Sequence, residues 1–217
     1  MTQPEVEPDR CEHICHFFRT FEEQRAAVMP FFQQGFENGE HCIYVTAEQS
    51  PDFWYQEFDA YSAVTKDALE RGALVVLEKS AWRPDEAFAT LPKAREAIEM
   101  FSNLLRDYPA VRIAGDASWA LNPELPVEQL CHWEATASLI YEGQDLQAIC
   151  QYNLAQHSAP HLHTALRTHP LVIVDGRLLQ NPFFEGPQIL EDEPASFHSD
   201  ATFEMVEDML NKLRSLS

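Results

Sequence analysis

Apolar residues along the chain fall into two rhythms. Short, nearly continuous runs occur at His13–Phe18 (HICHFF), His41–Thr46 (HCIYVT), Ala73–Leu77 (ALVVL), Val111–Asp116 (VRIAGD), Leu146–Tyr152 (LQAICQY) and Leu171–Val174 (LVIV). Runs of this kind are what strands covered on both faces need. Between them, apolar residues return every three or four positions, which marks one face of a helix. Phe21–Phe36 carries Val28, Phe31, Phe32 and Phe36, with Pro30 predicting that the helix kinks or begins there. Ser50-Pro51-Asp52 is a helix start that leads into Phe53, Trp54, Phe58 and Tyr61. After a division at Leu91-Pro92, the residues Ala94, Ile98, Phe101, Leu105 and Tyr108 form another face. Helices follow over Pro126–Glu142, stopped by Gly143, and over Pro160–Arg167. Strands alternating with helices predict crossover connections, hence a three-layer α/β fold whose mostly parallel sheet has helices on both faces.

The ordered part of this pattern spans residues 11–184 and follows an acidic, polar tail at 1–10. Residues 185–200 are rich in proline and acids and read as a linker. Within 201–217, Thr202–Leu216 is an amphipathic helix with Phe203, Val206, Met209, Leu210 and Leu213 on one side. A helix of about 15 residues is marginal alone in water and must bury such a stripe. The linker suggests docking on a second copy or on a signalling partner; the alternative is that the helix folds back as the last layer of its own core.

Charge narrows the function classes. The 217 residues hold 35 acids and 15 bases, a formal net charge of −20. Such a surface repels phosphate backbones and anionic lipids, so neither nucleic acid nor membrane is an expected partner. The apolar runs are too short for a membrane helix and the N-terminus is no secretory signal, which points to the cytoplasm. Five cysteines in that setting read as free thiols.

The stretch ENGEHCIYVTAEQSP at 37–51 has the shape of a second strand followed by the catalytic acid of a RecA-type ATPase. That chemistry also needs G-x-x-x-x-G-K-[ST] after the first strand, where backbone N–H groups wrap the phosphates and the lysine neutralises them. Here residues 16–24 read HFFRTFEEQ, with no glycine, no lysine and two acids. The expectation is therefore a RecA-like scaffold with no intact phosphate-binding loop and no ATPase activity. On that reading Glu48, in the place of the catalytic acid, is a vestige or a helix-start charge.

Seven segments in order also carry a family resemblance: His13 opening the first strand, GFENGEHCIYVTAE at 35–48, RIAGDASWAL at 112–121, HWE at 132–134, CQYN at 150–153, HP at 169–170 and NPFF at 181–184. With these the chain resembles the MEDS domain (methanogen/methylotroph, DcmR sensory domain), a relative of the KaiC/RecA fold. The resemblance implies a sensory module for small molecules, of a kind often fused to DNA-binding or kinase domains. Neither of those fits the tail, so output is expected through a protein partner.

Several residues suit a ligand site at the carboxyl edge of the sheet, where such folds hold ligands. Glu134 falls on the inward stripe of its helix, and a buried carboxylate must be paired, hydrogen-bonded or protonated. Asp116 and Trp119 follow the strand VRIAGD, Gln151 and Tyr152 end the strand LQAICQY, and Phe17 and Tyr44 lie near the ends of the first two strands. Each also has a plain structural reading: a core aromatic, or a polar group bonded to a neighbouring loop. Metal spacing is weak. Cys11, His13 and Cys15 alternate along a strand, and His157, His161 and His163 cluster, yet neither set matches a usual zinc pattern. No cofactor and no metal is expected; His13 and His169 read as hydrogen-bonded within the fold and Cys150 as a buried, inert thiol. The favoured function is a non-catalytic sensory domain that binds a small organic molecule and signals through a partner. The alternatives are a hydrolase or lyase built on Glu134, Asp116 and a histidine, and a pure interaction protein acting as antagonist in a signalling pathway.

Overall fold

The structure, a computed structural model, describes residues 11–78, 91–122, 125–186 and 200–216. In chain order its elements are β1 (Cys11–Phe18), α1 (Phe21–Glu37), β2 (His41–Thr46), α2 (Pro51–Tyr61), α3 (Ala63–Glu70), β3 (Leu74–Glu78), α4 (Leu91–Asp107), β4 (Val111–Asp116), a 3-10 turn (Ala117–Leu121), α5 (Val127–Tyr141), β5 (Leu146–Asn153), α6 (Ala159–Thr168), β6 (Leu171–Val174), β7 (Arg177–Gln180) and α7 (Phe203–Arg214). One sheet takes the strands in the order β3-β2-β4-β5-β1-β6-β7. All pairs are parallel except β6 with β7, a hairpin whose turn places Asp175 and Gly176 at φ 49° and 74°. The tail at 1–10 and all but the ends of the segment read as a linker lie outside the described residues. Among the described residues no helix is long and apolar enough to cross a membrane.

Strand register sorts the side chains into two cores, because successive residues point to opposite faces. Ile14, Tyr44, Ala114, Ile149 and Leu171 pack with Val28, Phe32, Phe36, Trp54 and Phe58 of α1 and α2. On the opposite face Cys15, Phe17, Tyr152, Val172 and Val174 meet Leu162, Leu166, Val206, Leu210 and Leu213 from α6 and α7. Ile43, Val45, Ile113 and Ala148 on that same face meet Phe101, Trp133, Ala137 and Tyr141 from α4 and α5. The three-layer α/β expectation holds.

Four local expectations are corrected. Helix α1 does not begin at Pro30: it starts at Phe21 behind Thr20, whose hydroxyl accepts from Glu23 N at 3.2 Å, and runs through the proline. Burial of Val28, Met29 and Phe32 around Pro30 outweighs the one backbone bond that the proline lacks. A second helix follows Tyr61, because Ser62 and Thr65 form a capping box. Strand β7 was unforeseen; its residues are only half buried and lack the apolar run of a two-sided strand. Finally, most of the stripe of α7 folds back on its own chain: Val206, Leu210 and Leu213 are buried against α6 and β6, while Phe203 at its start stays exposed.

Candidate functional site

Glu134 projects from α5 into the sheet and is almost completely buried. Its Oε1 accepts from the Tyr152 hydroxyl. Its Oε2 lies 3.2 Å from His13 Nε2, 3.5 Å from His169 Nε2 and 3.7 Å from Cys150 Sγ. His13 Nε2 and Cys150 Sγ are 3.3 Å apart. The outer nitrogen of each ring is held from behind: His13 Nδ1 is 2.8 Å from Ser138 Oγ, and His169 Nδ1 is 2.9 Å from the Ala165 carbonyl. A carbonyl only accepts, so His169 carries its proton on Nδ1 and turns a bare Nε2 lone pair towards Glu134. Burial lowers both histidines to about 3, His169 also through His13 and against the pull of Glu134. Burial first, and Glu134 after it, push the Cys150 thiol and the Tyr152 hydroxyl well up. One carboxylate, two neutral imidazoles and a thiol thus converge; all three residue types are ligands of divalent metals.

A second polar network lies on the opposite face, under α1. Gln151 Nε2 donates to the Gln24 carbonyl at 3.2 Å and to His16 Nδ1 at 3.1 Å, and Gln151 Oε1 accepts from the Tyr44 hydroxyl at 3.3 Å. Gln24 Nε2 donates to Asp116 Oδ2 at 3.2 Å, while Asp116 Oδ1 accepts from Ser118 N at 2.8 Å and so caps the 3-10 turn. Burial raises the Asp116 carboxyl above its usual value, and these two donors oppose the shift. His16 is lowered to about 4 by burial, and its Nδ1 acts as acceptor to the amide.

At the start of α1 the chain satisfies its own helix N-terminus. Arg19 N donates to Glu23 Oε2 at 2.6 Å, and Thr20 accepts from Glu23 N. A carboxylate therefore sits where a helix N-terminus would otherwise draw an anion. Beside it, past the carboxyl ends of β1 and β6, opens a cleft of about 550 Å³. Phe17, Ala27, Pro30, Leu154, Ile173 and Leu178 line it with apolar surface; His16, Arg19, Glu23 and Asp175 add polar groups. Glu48 lies exposed, its carboxylate bonded to Gln156, a tie between two loops.

The seven residues expected to line one pocket are divided by the sheet. Tyr44, Asp116 and Gln151 share the network under α1. Glu134 and Tyr152 are bonded on the other face, Phe17 stacks 6.1 Å from Tyr152, and Trp119 packs 6.1 Å from Trp133. Only Phe17 of the seven lines the cleft directly, with Gln151 one hydrogen bond behind it through His16. Asp116 and Glu134, standing on opposite sides, do not form one catalytic pair. The structure adds His13, Cys150 and His169, for which the sequence supports only a structural part, and Gln24 and His16, which no motif marks. Strand parity could have placed His13 with Cys15 and Phe17, but nothing local to β1 announces that Cys150, 137 positions away, lies beside it. Of the two metal spacings weighed, His13 alone joins a ligand set; the Cys11 side chain lies outside the described residues.

Comparison with known proteins bears on this geometry. Residues 12–170 match the family model for MEDS, the MEthanogen/methylotroph, DcmR Sensory domain. No curated protein matches the chain. Among solved structures, the flagellar accessory protein FlaH from Methanocaldococcus jannaschii is similar with a TM-score of 0.54 and 13% identity, over 77% of this chain and 74% of that one. The KaiC-like protein PH0186 from Pyrococcus horikoshii OT3 is similar with a TM-score of 0.53 and 13% identity, over 74% and 69%. At that identity the likeness carries the fold, a RecA-like α/β architecture.

Proposed function

The chain belongs to the MEDS family of sensory domains, and from that premise we propose that it binds a small organic molecule in the cleft past β1 and β6 and passes the occupied state to a protein partner without turning the molecule over. The observation that carries this reading is the cleft's position and lining. Open α/β sheets hold ligands beyond the carboxyl ends of their strands. A volume of about 550 Å³ suits one small molecule. The walls are mainly apolar, with a few polar groups to orient a guest, while Glu23 occupies the anion position that a nucleotide would require.

A route to the surface starts at the cleft's rim. Asp175, which lines the cleft, accepts from Arg214 Nε of α7 at 2.8 Å. A guest that displaces the β6–β7 turn thereby shifts the C-terminal helix, whose outer side shows Phe203 and Met205 at 60% and 40% exposure. On this reading the partner docks on that surface.

Native mass spectrometry of the full chain, purified without denaturation, tests the reading. A bound small molecule is expected in the wild type and absent from Ala27→Trp, whose indole fills the cleft while the melting temperature is kept. An adduct indifferent to Ala27→Trp would place the ligand elsewhere. Conversion of the released molecule by the protein would favour an enzyme, and an empty cleft with a tight protein partner would favour a pure interaction role.

A further inference from the structure

We propose that His13, Glu134, Cys150 and His169 form a largely buried, four-ligand zinc site that ties β1, α5, β5 and the α6–β6 junction together. The proposal does not rest on the cleft reading, because none of these four residues lines the cleft.

Three observations carry it. The first is distance. Zinc holds nitrogen and oxygen at roughly 2.0–2.2 Å and sulfur at about 2.3 Å, so ligand atoms at tetrahedral corners stand about 3.3–3.8 Å apart. Four of the six separations among these atoms are 3.2, 3.3, 3.5 and 3.7 Å, and all six lie within 4.8 Å, close enough to draw onto one ion.

The second is an unpartnered donor atom. His169 is fully buried and its Nε2 has no hydrogen-bond partner. The contact of 3.5 Å to Glu134 is an ion pair only if the ring is protonated. The Ala165 carbonyl already takes the Nδ1 proton, which leaves the Nε2 lone pair bare. A lone pair aimed at a carboxyl oxygen needs a proton or a metal cation between them, and one proton cannot serve His13, His169 and Cys150, which all face Oε2. His13 repeats the arrangement: its Nδ1 is engaged by Ser138 Oγ, which leaves Nε2 directed at Glu134 and Cys150. Ring nitrogens held from behind in this way are the outer shell that orients metal-bound imidazoles.

The third is charge. Two neutral imidazoles, one carboxylate and one thiolate around a divalent cation sum to zero, which suits a site closed to water. On zinc binding the Cys150 proton leaves to solvent and the sulfur bonds to the metal; no oxidant or reductant is required. A closed set of four protein ligands is the form of a structural zinc site. Tyr152, bonded to the second oxygen of Glu134, holds that carboxylate in place.

Elemental analysis of the full chain, expressed without an added histidine tag, is expected to show about one zinc per chain. Protein stripped by a chelator and given Co2+ alone is expected to develop tetrahedral ligand-field bands and a thiolate-to-cobalt charge-transfer band. Cys150→Ser, nearly equal in size, is expected to lose the charge-transfer band. Ser138→Ala keeps all four ligands and is expected to weaken Zn2+ affinity by about 10- to 100-fold, by loosening His13. A folded, metal-free wild type that gives no charge-transfer band with excess Co2+ overturns the proposal, and so does a band that survives in Cys150→Ser. If the variants fail to fold, the wild-type Co2+ spectrum decides alone.

Discussion

At the scale of single residues, the buried His16 is held in its neutral form by its surroundings. His16 accepts from Gln151 at Nδ1, so a second ring proton would face the amide donor as well as the loss of water. Burial lowers His16 from 6.5 to about 4. The unfolded chain takes up this proton below about 6.5 and the folded chain refuses it until about 4, so the stability it contributes is fully present above 6.5 and declines as the pH falls towards 4. His16→Gln keeps an acceptor for Gln151 and removes the titration. It is expected to flatten the fall of stability across that window by up to about 1.4 kcal/mol per pH unit, read from urea midpoints at a series of pH values. Equal slopes in the two proteins would mean that His16 protonates as readily folded as unfolded.

At the scale of elements, one buried position on each of α1 and α7 tests how the helix packs. A Cβ on Gly35 of α1 would meet Arg112 Cδ at 2.8 Å and Cys42 Sγ at 3.1 Å. Arg112 cannot yield easily: it is buried, paired with Glu40 at 2.5 Å, and donates to the Phe31 carbonyl at 2.9 Å and to Gln34 at 3.2 Å. Gly35→Ala gains about 1 kcal/mol of helix propensity, but the overpacking is expected to cost more. The net effect is a loss of about 1–2 kcal/mol in chemical denaturation; a stabilised variant would show that Arg112 moves aside. For α7, Leu210→Ala is expected to cost about 2–5 kcal/mol, because Leu210 is buried in its own chain's core. Phe203→Ser, at a residue 60% exposed, is expected to stay within about 0.5 kcal/mol. An unchanged melting temperature for Leu210→Ala would mean that the stripe serves another surface.

At the scale of the whole molecule, charge and architecture point the same way. The net charge of −20 opposes polyanions at long range. Locally, the Glu23 carboxylate stands on Arg19 N at the start of α1. Calorimetric titration with Mg-ATP is therefore expected to give no micromolar binding, although the fold is RecA-like. Heat at micromolar concentrations would require Glu23 to swing away from α1, and Glu23→Ala would then tighten the binding.

The sequence by itself determined what is local in origin. Continuous apolar runs alternating with helical stripes specify a parallel α/β sheet, since side-chain direction repeats every two residues in a strand and every 3.6 in a helix. The residues at 16–24 exclude the usual phosphate loop because that loop depends on residue types within a few positions of one another. The inward turn of Glu134 was likewise legible from the face of its own helix. Its partners were not. The tertiary structure alone sets β5 between β4 and β1, and so brings Cys150 beside His13 and both beneath Glu134. The same pairing sends Gln151 and Asp116 to the opposite face, and splits residues that a one-dimensional reading gathers at one sheet edge. Strand order is a long-range choice, decided by which apolar faces bury one another, and a buried constellation assembled across it has no signature in any single stretch of the chain.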